Sequence, residues 1–459
     1  MEELNLKEII LYTNGNLINL NNLDADICIK NICIDSREVT KNSLFVPIVG
    51  EKVNPHKFIN KINFAASLFQ KGQEFNFDFE NKILIEVENT EKALQDIAKF
   101  YRKKFDIPIV GVTGSVGKTT TKEMIASVLS ENLKVLKSKL NNNSQVGVAL
   151  SIFKINLEHQ VAVLEMGVSE IGEMERLAEI VDANCAVVTN IGLSHIENFE
   201  NVENTKNEKL KILKNKSGRY YLNGDIPGLS ENIDLENVIY FGLNGNYAYR
   251  AEDIFINNVY TKFTLITENY RENITIPCIG VHNVYNSLIA IAVASDFGMH
   301  IEDIKSGLKK YTGVPMRQEI TNLKNNIVLI DDSYNSSPES VKSSINVLRN
   351  LKSIGKNIII FGDILELGEK SSKIHYDLGK YIALEEIDLV IATGENSKHL
   401  INGIEETRKN DLETIYFNSV EEINNTILNK ISYGDKILVK GSRGIKMDRV
   451  VNFIKKSYQ

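Results

Sequence analysis

The stretch GVTGSVGKTT (111–120) is preceded by an apolar run over 107–112 and followed by TKEMIASVLS, which reads as a helix. Strand, glycine-rich turn and helix in that order form the context a phosphate-binding loop requires. The glycines let backbone N–H groups turn toward an anion, and the helix N-terminus adds a favourable dipole. Lys118 adds a point charge, and the Thr119 hydroxyl can ligate Mg²⁺. One departure stands out: the strict spacing puts glycine at 112, where this chain has Val112, with glycines at 111, 114 and 117. The loop predicts a nucleotide site. It does not name a reaction, because GTPases, kinases, motors and ligases all use it.

Outward from the loop, the chain divides into three blocks. VAVLEMG (161–167) and CAVVTNIG (185–192) are continuous apolar runs, as expected of parallel strands buried on both faces and separated by helices. Between about 218 and 276, the runs YLNGD, VIYFG and KFTLIT predict antiparallel hairpins. The helix VYNSLIAIAVASDFG then ends at Gly298, a C-cap signal. Upstream, ICIKNICID, SLFVPIV and NKILIEV read as short strands. A helix follows over 90–104 with Ala93, Ile97 and Phe100 on one face, and Pro108 punctuates the chain. Downstream, NIVLIDD, NIIIFGD, DLVIATG and KILVKGS read as a second doubly wound domain. The expected fold class is α/β in three domains: a small mixed α/β domain over 1–105, a central phosphate-loop ATPase-type parallel sheet with added antiparallel strands over 106–312, and a Rossmann-like domain over 313–459.

The 459 residues, 43% hydrophobic and 25% charged, exclude disordered, collagen-like and coiled-coil classes. A net charge of −7 argues against a protein that coats nucleic acid or an anionic membrane. The four cysteines, Cys28, Cys33, Cys185 and Cys278, lack zinc-site or CxxC spacing and read as reduced core thiols. The N-terminus MEELNLKEII has no basic signal-peptide region, and no apolar run reaches the roughly 20 residues a span needs. The expectation is a cytoplasmic protein with no membrane insertion and no nucleic-acid partner.

Glu165 closes the strand VAVLE and His195 follows CAVVTNIG, so both fall at the sheet edge where ligands bind. With Thr119 they make a credible divalent-metal set beside nucleotide phosphates, although strand-end polar residues also serve as caps and turn formers. Lys206, in VENTKNEKLKIL, by itself reads first as one charge on a solvated helix face. Asn283 and Asn286 are three apart and share a helix face. Their amides suit an adenine edge, or an N-cap and a turn.

Taken together, these residues resemble the Mur ligase family of ATP-dependent amide-forming enzymes. The resemblance rests further on DSREVTKNSLFVPIVGE (35–51), LNNNSQVGVALSIF (140–153), DDSYNSSPES (331–340), GDILELGEKSSKIH (362–375) and VKGSRGIKMDRVV (439–451). It implies ligation of D-alanyl-D-alanine to UDP-N-acetylmuramoyl-tripeptide through an acyl phosphate, with ATP and one or two Mg²⁺ ions, in an enzyme expected to be a monomer. Gly114, Ser115, Val116, Gly117, Lys118, Thr119 and Thr120 would hold ATP phosphates, Asn283 and Asn286 the adenine, Arg317 a phosphate, and Asp332 the ribose side. Thr119, Glu165, His195 and a carbamylated Lys206 would hold metal. Lys118, Lys206 and Arg317 would be catalytic, while Ser36, Arg37, Asn142 and Asn143 would face the UDP substrate. Departures are NPHKF (54–58) in place of the family's DGHDF, and Ser144 and Ala149 where Asn and Pro are common. The DNPR string of the diamino-acid-adding member is absent. The alternatives are another amide ligase of the superfamily, diamino-acid-adding or folylpolyglutamate synthase-like, and a nucleotide switch without ligase chemistry.

Overall fold

The computed structural model describes every residue except 19–26, 75–81, 140–141, 214–217, 230–236 and 409–410. The central sheet has nine strands. They run in the order Arg271–Ile276, Thr261–Ile266, Tyr249–Ile256, Val238–Gly242, Arg219–Asn223, Cys185–Val188, Ile109–Thr113, Val161–Glu165, Val135–Lys137. Ile109–Thr113 pairs in parallel with Cys185–Val188 on one side and Val161–Glu165 on the other. All five of its residues are buried, as a strand covered on both faces requires. The helix Lys118–Leu129 returns along this strand and packs against Val281–Asp296. Gly298, at φ +74°, terminates the latter helix in the conformation glycine adopts most readily.

The hairpins expected over 218–276 form only in part. Arg219–Asn223 and Val238–Gly242 pair in parallel and extend the central sheet, and antiparallel pairing begins at Tyr249–Ile256 with Thr261–Ile266. Tyr220 to Asn223 are buried on both faces, which fits an interior parallel strand and not a half-solvated hairpin arm.

The N-terminal sheet has five strands, ordered Asn16–Ile18, Leu84–Val87, Ala66–Gln70, Ser43–Phe45, Asn31–Cys33. Its covering helix Thr90–Arg102 buries Ala93, Leu94, Ile97, Ala98 and Tyr101. Phe100, expected on that face, instead stacks on Tyr12 with ring centroids 4.2 Å apart. The buried face continues into the central core, where Val148, Ile152, Phe153 and Leu177 belong to the same apolar cluster. The Tyr101 hydroxyl donates to the Ile155 carbonyl at 2.7 Å, and Arg102 donates to the carbonyls of Val181, Phe105 and Ile107.

The C-terminal sheet has six strands, ordered Glu319–Asn322, Val328–Asp332, Lys436–Lys440, Asn357–Gly362, Leu389–Thr393, Glu413–Phe417, and only the first pairing is antiparallel. Period-two alternation sends Ile359 and Phe361 into one core and Ile358 and Ile360 into another. Among the described residues, no helix is long and apolar enough to cross a membrane.

Candidate active site at the phosphate loop

The loop 114–117 is shaped by two left-handed glycines. At Gly114, φ +147°, a Cβ would lie 2.1 Å from Thr189 Oγ1; at Gly117, φ +87°, it would lie 3.1 Å from Asn286 Oδ1. Both positions therefore need glycine for backbone conformation, and Gly114 for space as well. Neighbouring segments hold the loop open: Ser115 N–H donates to the Asn190 carbonyl at 2.8 Å, and Thr189 Oγ1 to the Val116 carbonyl at 2.5 Å. Gly192 N–H donates to Ser115 Oγ at 2.9 Å. The helix Lys118–Leu129 starts at Gly117 with no side-chain cap, so its first N–H groups are left for an anion to accept.

Lys118 Nζ folds back on the Gly114 carbonyl at 2.7 Å. Burial holds its pKa below the usual lysine range. The carboxylates of Glu165 and Glu366 oppose that shift, and the Arg317 guanidinium adds to it. An incoming phosphate would relieve this cationic crowding. Beside it, Thr119 Oγ1 and Glu165 Oε2 are buried with no hydrogen-bond partner, as is Asn190 Oδ1. Buried oxygens without partners are costly. Two such oxygens on the predicted metal residues are the donor set a hard divalent cation takes, so the residues fit Mg²⁺. Asn143 Nδ2 donates to Glu165 Oε1 at 2.9 Å, leaving Oε2 without a hydrogen bond and 4.0 Å from Lys122 Nζ. The fully buried Lys122 backs Glu165 at 4.0 Å while bonding the Ser138 carbonyl and Glu123. Among the described residues, no group of three or more His, Cys, Asp or Glu side chains is gathered.

His195 has a left-handed backbone, φ +58°, and its Nδ1 lies 2.7 Å from Glu366 Oε2. Lys206 turns to Glu203 at 2.8 Å, with its side chain 18% exposed. One turn on, Lys209 is buried, and burial and the Lys118 charge push its pKa well below the usual lysine range. The helix Val202–Leu210 thus points Thr205, Glu208 and Lys209 inward.

Asn286 Oδ1 accepts from Thr121 Oγ1 at 3.0 Å and its Nδ2 donates to Asn283 Oδ1 at 3.2 Å. Asn283 Nδ2 donates in turn to the Ile279 carbonyl at 3.0 Å, so the pair forms a buried amide relay behind Gly117. Thr120 hydrogen-bonds Tyr311. Arg317, set between the left-handed residues Met316 and Gln318, lies over the Tyr334 ring at 4.3 Å. Asp332 is occupied: Lys440 Nζ at 2.5 Å, Ser344 Oγ at 2.6 Å and Gln318 N–H at 3.3 Å take its oxygens.

Ser36 and Arg37 lie in the N-terminal block, where Arg37 bonds Asp35 and its side chain is 87% exposed. Asn142 packs its backbone where a Cβ on Gly147 would fall, 2.6 Å from its Cα. The NPHKF departure has a local use: the Asn54 side chain caps the turn Pro55–Lys61, and buried His56 accepts the Gln70 N–H at 3.0 Å. Ser144 caps Gln145–Ile152. Sequence reading did not single out Lys122, Lys209 and Glu366, whose side chains lie beside Glu165, Lys118 and His195. Glu366 was already inside the quoted GDILELG segment, but its partner lies 171 positions away.

A glycine-shaped anion cradle, two oxygens without a hydrogen bond beside it and a second sheet reaching over with Arg317 and Glu366 define a multidomain phosphate-loop enzyme. Residues 112–294 match the Mur ligase middle domain, and residues 316–443 match the Mur ligase, glutamate ligase domain. The UDP-N-acetylmuramoyl-tripeptide–D-alanyl-D-alanine ligase of Bacillus subtilis (strain 168) is 32% identical over 428 residues, 92% of each chain. MurF from Acinetobacter baumannii superposes with a TM-score of 0.90 at 26% identity, over 99% of both chains. MurF from Thermotoga maritima in complex with ADP gives 0.82 at 26% identity, over 94% of this chain and 98% of that one. The chain belongs to the Mur ligase family.

Proposed function

We infer that this protein joins D-alanyl-D-alanine to UDP-N-acetylmuramoyl-tripeptide with ATP, in peptidoglycan precursor synthesis. The observation that carries this reading is full-length similarity to ligases of that name, combined with an anion cradle flanked by Thr119 and Glu165 oxygens that have no hydrogen bond. In the chemistry proposed, a tripeptide carboxylate oxygen bonds to the γ-phosphorus of ATP as the bridge to ADP breaks. The dipeptide amine then attacks the acyl carbon through a tetrahedral intermediate, phosphate departs, and the surplus amine proton passes to solvent. Lys118 and Arg317 stabilise charge on the transferring phosphoryl group. A divalent cation, when bound, supplies a Lewis acid at phosphate oxygen. Thr119, Glu165 and His195 are the residues proposed to hold it.

The fourth metal residue is best placed at Lys209. Carbamylation needs a neutral amine: nitrogen adds to CO₂ and releases one proton, which leaves an anionic oxygen donor. Lys209 is buried and biased toward neutrality, whereas Lys206 is ion-paired with Glu203. We further propose domains over 1–105, 106–312 and 313–459, a monomer, and action in the cytoplasm. Ser36, Arg37, Asn142 and Asn143 remain the proposed contacts for the UDP substrate, and Asn283, Asn286 and Asp332 frame the nucleoside.

Phosphate release from ATP with UDP-muramoyl-tripeptide tests the function. It should appear only when D-Ala-D-Ala is added, and Lys118→Ala should silence it. Release stimulated by a diamino acid, or by glutamate on a folate substrate, would assign a different ligase of the superfamily. Nucleotide binding with no turnover would leave a switch protein.

A further inference from the structure

His195 and Glu366 come from different sheets. His195 follows the central strand Cys185–Val188, and Glu366 follows the C-terminal strand Asn357–Gly362. Both hold positive φ, +58° and +63°, a conformation uncommon for non-glycine residues. Around them the segments 192–200 and 366–370 interlock. Glu197 N–H approaches the Glu366 carbonyl at 3.5 Å, and Lys370 Nζ reaches the Glu200 carbonyl. Leu193 N–H donates to Glu339 Oε1 at 3.0 Å, and a Cβ on Gly192 would strike that same carboxylate at 2.7 Å. Two residues of uncommon backbone conformation meeting inside a close-fitting contact form a built arrangement.

The chemistry of the pair is directional. Nδ1 lies 2.7 Å from a carboxylate oxygen, which can only accept, so a ring N–H on Nδ1 faces Glu366 and Nε2 is the nitrogen left to ligate. Among the described residues, nothing hydrogen-bonds Nε2. A carboxylate behind one nitrogen, with the other nitrogen free, is how metal-binding histidines are oriented and made more basic. We propose that Glu366 is a positioning residue for His195, so that the central metal site gains its oriented imidazole only when the C-terminal domain lies over the phosphate loop. This deepens the proposed function and rests on its metal reading. Its consequence is a check on wasteful hydrolysis: a nucleotide bound to an open molecule meets an incomplete metal site.

The test uses the full-length chain with ADP, and Mn²⁺ as the probe metal. Mn²⁺ binding is followed by electron paramagnetic resonance, and the His195 tautomer by ¹⁵N NMR. Glu366→Ala should weaken Mn²⁺ binding by about 10–100-fold, the range for partners behind a ligand, and should abolish the Nδ1–H preference. Glu366→Gln, whose amide oxygen still accepts, should keep the tautomer and lose less. Each variant's melting curve establishes that it folds. The proposal is overturned if Glu366→Ala binds Mn²⁺ like the parent while His195→Ala does not; in that case His195 ligates without help. If His195→Ala also binds normally, the metal reading of His195 itself fails, and this proposal with it.

Discussion

Lys206 and Lys209 stand one turn apart on one helix and differ in everything except composition. Lys206 has a carboxylate partner and partial exposure; Lys209 is buried, with burial and Lys118 both opposing its protonation. A surface ion pair contributes little, so Lys206→Ala should keep activity within about threefold of the parent. Lys209→Ala should lose roughly 100-fold or more, beyond the loss usual for groups behind a metal ligand. Added formate or acetate should partly restore it by supplying the missing carboxylate. ADP release measured with and without added carboxylate decides the matter; a rescuable loss in Lys206→Ala would reverse the assignment. The sequence could not separate these two lysines. A helix whose buried stripe is Thr205, Glu208 and Lys209 has no apolar periodicity to show which side faces inward. Lys118 and Thr119 were legible because their role needs only local features: glycines at the turn, a strand before it and a helix after.

Within elements, legibility follows what a segment can encode about itself. The strand Ile109–Thr113 and the helix after it are encoded in apolar runs and caps, but the partner of Arg219–Asn223 is not written in its own residues. The expected hairpin therefore became a parallel extension. The turn Pro55–Lys61 shows an element tied by one side chain. His56 Nδ1 lies 2.8 Å from Asn54 Oδ1, and its Nε2 must stay unprotonated to accept the Gln70 N–H of the strand Ala66–Gln70. Burial lowers the His56 pKa from its ordinary 6.5 to about 4. Below 6.5 the unfolded chain takes up the proton first. The contribution of His56 is therefore complete above about 6.5 and drains away as the pH falls toward about 4. At pH 7.5, His56→Leu should cost about 1–3 kcal/mol by stranding a buried N–H, and the difference from the parent should shrink on acidification. Urea midpoints for both proteins between pH 4 and 8 measure this; a gap that widens in acid would refute it.

At the scale of the molecule, the two junctions are built differently. Between the N-terminal and central sheets the apolar core is continuous: Leu94, Ile97 and Tyr101 pack in one cluster with Val148, Ile152 and Phe153, and Arg102 ties the connecting chain to the central domain. The C-terminal sheet carries cores of its own on both faces, and few residues from outside it, such as Ile196 and Ile279, join them. Its link to the centre runs through left-handed Met316 and Gln318, through those few apolar side chains and through polar contacts such as His195 with Glu366. Polar interfaces between domains with separate cores permit relative motion, whereas a shared core does not. The proposed acyl-phosphate chemistry needs water excluded while the intermediate lasts and the site reopened for product release, so the mobile member should be the C-terminal domain. Expressed alone, residues 313–459 should give a cooperative thermal transition and dispersed NMR amide shifts. Residues 1–105 alone should not, because the helix Thr90–Arg102 would expose the face it now buries. In the full chain, Tyr101→Ala should cost about 3–5 kcal/mol and lower the unfolding of the N-terminal and central parts together, leaving the C-terminal transition in place. Calorimetry on the full chain reads both transitions. If the C-terminal transition moved with the other, the three sheets would form one cooperative body, and closure by the last of them would lose its physical basis.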